Sequence, residues 1–461
     1  MTRATVHRRV LALCVAAFAF TLSGTAVHAT DAKALPAYRL EVGQELTYKE
    51  DNESKRGEGK HNSNSVHTDW KASVVGKNKD GSSRIIVQAA KTYIFNGEPA
   101  GRPRSSFAYC DVFNDGRVLP NPTLTVLFDP TVLFPRLPEN AKELADGWES
   151  LRLNDDGRCA YKVEAQPKSA NVDWTITATT KTPLDDIYLV TRRGTITFDL
   201  NRGLVTKATR ETTQDWGIKS QGKGTLVLVS VDKHDAAWAK KLLTDADRYF
   251  EASRIYEAKT DEAPKDAKTA QKLLDEAREV LKTAEAEVSL PLFKDELKDS
   301  LKSHEQMAKY ALDDATRRAK VVGHPAAEFE ATDLKGKSHT LKDYKGKVVV
   351  LDFWYRGCGW CMRAMPQVKQ LAAEFKGEPV AVIGMNTDHN DADARFVVDK
   401  LGLDYTTLKI DHKVVQKYGV QGFPTMVIID RQGNIHGLHV GYTPNLQREV
   451  GEIVRQLLAK R

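Results

Sequence analysis

The chain has 461 residues, of which 41% are hydrophobic and 28% charged, with a formal net charge of +6. That length and apolar content suit two or three domains with cores of their own and exclude a disordered or fibrous chain. Removing a leader that holds Arg3, Arg8 and Arg9 but no acid brings the charge to +3, a near-balanced surface that gives no basis for binding nucleic acid.

Those three arginines precede an apolar core, Val10 to Leu22, and a small-residue site, Val27-His28-Ala29. This order predicts a secretory signal peptide over residues 1–29, cleaved after Ala29. The apolar core is shorter than the ~20 residues that span a bilayer, so no stable membrane span is expected after cleavage. Four cysteines follow the leader: Cys110, Cys159, Cys358 and Cys361. In an oxidising compartment a Cys110–Cys159 structural disulfide is one reading, and two buried free cysteines is the other.

Residues 30–235 read as an antiparallel β domain of unknown role. Alternating segments such as 83–88, 174–180 and 194–200 are separated by turn signals at Lys79-Asp80-Gly81, Asn114-Asp115-Gly116, Asp155-Asp156-Gly157 and Asn201-Arg202-Gly203. A sandwich and a strongly curved half-barrel fit this pattern equally. The proline-bearing stretch from Leu119 to Pro135 reads as an irregular loop packed over one end of the sheet, because proline removes ladder donors. The polar stretch from Tyr48 to Trp70 reads as a solvated loop or hairpin tip, with His61 and His67 facing solvent.

Residues 236–320 form a helical connector. Apolar residues recur at helical spacing around Leu242, Phe250, Leu274, Leu281, Phe293 and Leu301, with breaks at Ala263-Pro264 and Leu290-Pro291. Helices with one apolar face normally bury it on a neighbour.

Residues 321–461 alternate strand and helix and end in an antiparallel pair, which predicts a mixed α/β sheet with helices on both faces. The apolar strand Lys347 to Trp354 runs into Cys358-Gly359-Trp360-Cys361 at the start of a helix. A thiol there lies beside unpaired N–H groups and the positive end of the helix dipole, which favour thiolate. Cys358 is the expected nucleophile and Cys361 the resolving thiol. A zinc site would need two more ligands; His436 and His439, three apart on a strand, point to opposite faces. No metal or cofactor is implied.

Six motifs in order carry a family resemblance: Gly323-His-Pro-Ala-Ala-Glu-Phe329, Tyr344-Lys-Gly-Lys347, Leu351-Asp-Phe-Trp354, Cys358-Gly-Trp-Cys361, Met365-Pro366 and Gly422-Phe-Pro-Thr425. Residues 321–461 resemble the thioredoxin-fold TlpA/ResA-like branch, under the redoxin or AhpC/TSA heading. The resemblance implies a C-terminal α/β thioredoxin fold, which with the antiparallel β domain and helical connector read above makes a multidomain protein. It implies an extracytoplasmic, periplasmic thiol-disulfide oxidoreductase that exchanges disulfides with protein substrates and an upstream redox partner. A thiol-dependent peroxidase and an envelope binding protein whose β domain carries the main role are the alternatives. Against the peroxidase, the peroxidatic pattern is missing, with Tyr355 and Leu351 at its positions.

By the same resemblance, Asp352 is the buried acid that exchanges a proton with Cys361. Pro424 is the cis-proline that leaves the Phe423 backbone open to substrate. Gly357, where many relatives carry Trp, is expected to leave Cys358 more accessible. Trp360 offers an aromatic face to substrate. Redox direction, natural substrate and oligomeric state are not written in these motifs.

Overall fold

A computed structural model describes residues 35–56, 63–95, 97–101, 103–120, 128–151, 157–165, 173–182, 189–215 and 219–460. The signal peptide, His61 and the Asp155-Asp156 turn lie outside these residues.

The first part is one antiparallel sheet. In chain order its strands are β1 (Gln44–Arg56), β2 (Ser63–Lys77), β3 (Ser83–Phe95), β4 (Glu98–Pro99), β5 (Arg104–Val112), β6 (Val118–Pro120), β7 (Trp148–Leu151), β8 (Arg158–Ala165), β9 (Asp173–Lys181), β10 (Thr191–Asp199), β11 (Leu204–Asp215) and β12 (Lys219–Lys233). Their spatial order is β6-β5-β3-β2-β1-β12-β11-β10-β9-β8-β7, with β4 hairpinned on β3. Two meanders therefore meet where the first strand pairs with the last, Gln44 opposite Lys233 through Arg56 opposite Ser220.

The sheet curls. Trp70 on β2, Trp174 on β9 and Trp148 on β7 share one core with Tyr38, Phe134 and Phe198, which strands spaced ~4.8 Å apart in a flat sheet do not allow. Of the two architectures the sequence allows, the curved half-barrel is the one formed. The described end of the proline-bearing stretch, from residue 128, plugs one end of it: Phe128, Leu133, Phe134 and Leu137 are buried, and Pro130–Val132 makes a 3₁₀ turn. The Tyr38 hydroxyl donates to the Pro135 carbonyl at 2.9 Å, and its ring meets Phe134 and Phe198 edge-on at 5.7 and 5.3 Å. Gly116, at φ 82°, lies so close that a Cβ there would sit 2.4 Å from the Pro135 carbonyl oxygen.

Two expectations need correction. Tyr48 to Trp70 is not a solvated loop through its length: Tyr48 and Trp70 are buried on β1 and β2, whose outward residues are charged and hide the alternation. His67 is tied down on β2, its Nδ1 2.7 Å from Asp51. Cys110 and Cys159 do not pair; both are free thiols. Cys110 sits on β5 and Cys159 on β8, in opposite arms of the sheet, and burial pushes the Cys110 thiol up to about 12.

Three long helices follow: α2 (Ala236–Glu262), α3 (Ala270–Glu287) and α4 (Pro291–Val321), with α1 (Ala141–Asp146) earlier in the chain. The buried Asp245 carboxylate accepts from Ser289 N, Ser289 Oγ and Leu290 N, which anchors the break before Pro291. Their shared apolar stripe buries Leu242, Phe250, Leu281 and Phe293 against Val75, Ile86 and Phe107 on the outer face of β2, β3 and β5. Phe107 meets Phe293 at 5.0 Å, and Tyr109 stacks on Phe250 at 5.5 Å.

The last part holds β13 (Glu330–Asp333), β14 (Ser338–Thr340), β15 (Val348–Trp354), β16 (Val380–Asn386), β17 (Thr406–Lys409), β18 (Thr425–Ile429) and β19 (Ile435–Val440). They form a mixed sheet in the order β14-β13-β17-β16-β15-β18-β19. The helices are α5 (Gly359–Glu374), α6 (Asp391–Leu401), α7 (His412–Lys417) and α8 (Leu446–Ala459). Helices α5 and α8 cover one face through Val368, Leu371, Val450 and Val454, and α7 lies on the other through Val415. The end of α4 is fastened to this sheet: Arg318 donates to the Leu438 carbonyl at 2.9 Å. Among the described residues no helix is long and apolar enough to cross a membrane.

Candidate active site

Strand β15 is buried along all of its length, as a β-branched run between two helical layers must be. It delivers the chain to a short turn, Tyr355-Arg356-Gly357, and then to Cys358, which is the N-cap of α5 with φ −85° and ψ 97°. Cys358 and Cys361 are joined as a disulfide with their Cα atoms 5.2 Å apart. The Cys361 N–H donates to Cys358 Sγ at 3.1 Å, so this sulfur occupies the place where an N-cap acceptor satisfies an otherwise unpaired helix donor. Cys358 is 6% exposed and Cys361 1%. Cys358 is thus the more exposed of the two.

Cys358 lies beside Gly357 and is nearly buried. The sulfur is turned into the helix N-terminus, and the nearest neighbour of a Cβ at position 357 would be the Tyr355 ring at 3.1 Å. The turn itself is held by contacts that the motif reading missed. The Arg356 N–H donates to the Asp388 carboxylate at 3.0 Å, and its guanidinium reaches Asp393 at 2.6 Å while lying 4.3 Å over the Phe396 ring. Asn386 in turn donates to Asp388 at 2.8 Å.

Asp352 is 1% exposed and has no ion-pair partner among the described residues. Its Oδ1 accepts no hydrogen bond from the protein, and burial alone lifts the carboxyl to about 7. It therefore takes up or gives a proton near neutral pH. Its surroundings were not foreseen. Across the sheet Asp352 pairs with Gly384, and Gly384 with Thr407. A Cβ on Gly384 would lie 3.0 Å from both Thr407 Oγ1 and Trp354 Nε1, and 3.3 Å from the Tyr405 ring. Trp354 Nε1, Thr407 Oγ1 and the Tyr405 hydroxyl are all buried without a protein partner. Burial and the nearby Asp352 charge hold the Tyr405 hydroxyl well above its ordinary value of 10.0. A glycine inside the apolar run Val380 to Asn386 was the one local sign of this polar pocket.

The Phe423–Pro424 bond is cis, as the resemblance implies. Its loop is braced by Gly441 N–H donating to the Pro424 carbonyl at 2.9 Å and by Thr425 Oγ1 donating to the Gly422 carbonyl at 2.8 Å. Phe423 packs against the cluster that contains Cys358, Cys361, Trp354 and Met362, and meets Tyr355 edge-on at 5.3 Å. Trp360 is 56% exposed. One face stacks on Tyr442 at 5.9 Å, and the Arg363 guanidinium lies 4.8 Å from the ring. Tyr442 was not anticipated, because it lies 82 residues along the chain from Trp360 and no spacing links the two. Among the described residues no group of His, Cys, Asp and Glu is arranged to hold a metal ion.

The redoxin family model matches residues 321–457. The thiol-disulfide oxidoreductase ResA of Halalkalibacterium halodurans is 32% identical over 144 residues, covering 31% of this chain and 81% of that protein. ResA of Bacillus thuringiensis is 35% identical over 115 residues, covering 25% of this chain and 66% of that protein. Among solved structures, the thioredoxin domain of a thiol-disulfide oxidoreductase from Bacteroides vulgatus is 28% identical, covering 29% of this chain and 98% of that one, with a TM-score of 0.28. None of these matches spans the whole of the half-barrel and its helices.

Proposed function

The chain belongs, through residues 321–457, to the redoxin family of ResA-like thiol-disulfide oxidoreductases, and we propose that its Cys358–Cys361 pair exchanges disulfides with protein substrates outside the cytoplasm. The observation that carries this reading is the Cys358–Cys361 disulfide at the N-cap of α5, with the buried Asp352 carboxyl, lifted to about 7, on the strand that leads into it. In the oxidised form, a substrate thiolate attacks Cys358 Sγ, the Cys358–Cys361 bond breaks, and the departing Cys361 thiolate takes the Asp352 proton. A second substrate thiolate then attacks the mixed disulfide at the substrate sulfur. The substrate leaves as a disulfide and the protein keeps two reduced cysteines.

Run backwards, the same atoms reduce a substrate. Cys358 thiolate attacks, Cys361 gives its proton to Asp352, and the Cys361 thiolate resolves the mixed disulfide. An upstream partner then resets the pair. The Phe423 backbone beside the cis-Pro424 bond offers strand-like pairing to an extended substrate, and Trp360 with Gly357 borders the attacked sulfur. The arginine-led apolar segment at residues 1–29 supports export. Residues 30–235, 236–320 and 321–461 are then a β domain, a helical connector and the redox domain of one exported chain.

With dithiothreitol as reductant, the full chain should reduce insulin disulfides and a Cys358→Ser form should not. Equal rates in the two would remove the exchange mechanism.

A further inference from the structure

Among the described residues, bulky apolar side chains fill one end of the half-barrel. Toward the plug its strands carry bulky inward residues, Tyr48, Phe198 and Trp174. Two and four residues further along, the same strands change character. One inward row reads Glu50, Leu226, Ala208 and Ile196 across β1, β12, β11 and β10. The next reads Asn52, Gly224, Arg210, Gly194 and Ala178. Small residues thin the wall at this level and leave a cavity of about 460 Å³, floored by Phe128 and Val132 of the plug. That volume lies within the ~300–1,000 Å³ of small-molecule sites, which are mostly apolar with a few placed polar groups.

The polar groups here are placed. Glu50, 6% exposed, accepts from Trp70 Nε1 at 2.9 Å and from Arg210 Nη2 at 3.1 Å. Arg210 Nη2 also donates to Asn52 Oδ1 at 2.7 Å, lying across Gly224, where a Cβ would come within 2.3 Å of that oxygen. Glycine at 224 is thus what leaves room for the Asn52 amide oxygen that holds the guanidinium. Both bonds use one nitrogen, and among the described residues Nε and Nη1 keep their donors for a ligand. Lys91 and Arg192 join Arg210 in the lining, so that basic groups exceed the acids Glu50 and Asp129. An apolar cup with a braced guanidinium and surplus positive charge matches an apolar chain that ends in an anion. We propose that the half-barrel binds an amphipathic anion, an acyl chain bearing a terminal carboxylate or phosphate. This site is separate from the dithiol and does not depend on its chemistry.

The cavity contains its own reporter. Cys159 is a half-buried free thiol in the lining, 3.3 Å from Thr180 Oγ1. The full chain is titrated with cis-parinarate, with lysophosphatidate and with hexadecanol as the uncharged control. Alkylation of Cys159 by iodoacetamide is followed by mass spectrometry of the peptide that contains it. Saturable one-to-one binding of either anion that slows Cys159 alkylation several-fold supports the proposal, and the anion that binds identifies the head group.

Arg210→Gln should weaken the anion about tenfold or more, as expected for a lost charge-assisted hydrogen bond, while leaving hexadecanol and insulin reduction unchanged. Ala208→Phe should fill the cup and abolish binding. If neither anion binds, if hexadecanol binds as tightly as the anions, or if a folded Ala208→Phe form binds unchanged, the proposal is wrong. Should Ala208→Phe fail to fold, Arg210→Gln and Cys159 protection in the unmodified chain decide the matter.

Discussion

Replacing Asp352 by Asn should stabilise the redox domain, and by an amount set by pH. Burial lifts this carboxyl from 3.8 to about 7, and each tenfold change in proton affinity is worth about 1.36 kcal/mol. Below pH ~4 the carboxyl is protonated in both the folded and the unfolded chain, so the variant gains nothing. Between ~4 and ~7 the unfolded chain ionises while the fold retains the proton, and the stability of the unmodified protein falls as pH rises. Above ~7 the difference levels off, at ~4 kcal/mol in favour of Asp352→Asn. The assay is urea-dependent hydrogen exchange of the oxidised full chain, read on peptides from β15 and β18, for both forms at several values between pH 4 and pH 8. A stability difference that stays constant across this range would refute the claim that Asp352 is held protonated by burial.

Gly384→Ala should destabilise the same domain by ~1–3 kcal/mol, as overpacking does, because the new methyl meets Thr407 Oγ1 and Trp354 Nε1 at 3.0 Å; the same exchange experiment measures it. Trp360→Ala should lower kcat/KM toward disulfide peptides with aromatic residues by ~2–10-fold, the equivalent of one aromatic pair, with little change toward a small-molecule disulfide; a steady-state comparison of the two substrates tests this. Phe293→Ala should cost ~3–5 kcal/mol at the seam between the helices and the half-barrel, since the ring is fully buried against Phe107, and should appear as faster exchange in β5 and α2 while β15 is unaffected.

Local signals carried far in this chain. Pro264 and Pro291 marked the two helix breaks, since proline removes a donor and clashes with the preceding turn. The run from Val348 to Trp354 announced a doubly covered strand, and the motifs around Cys358 and Pro424 located the dithiol site. What escaped was non-local. The pairing of β1 with β12 joins residues more than 160 apart, and nothing in either strand names its partner, so neither the choice between sandwich and half-barrel nor the cavity could be read. Tyr48 and Trp70 were hidden among charged neighbours because a strand with a wet outer face and Thr, Glu and Asn on its inner one breaks simple alternation. The cysteine count left Cys110 and Cys159 open between a disulfide and two free thiols, because pairing depends on geometry, which the sheet denies. Around the dithiol, Gly384, Thr407 and Tyr405 act through what the glycine lacks, and Tyr442 through a contact across the fold.

The central claim is that Cys358 attacks and Cys361 resolves. The full-length Cys361→Ser form, incubated with a protein disulfide and quenched with acid, should accumulate a mixed disulfide that peptide mass spectrometry places on Cys358, while the Cys358→Ser form accumulates none. A mixed disulfide found on Cys361, or equal trapping by both forms, would contradict it.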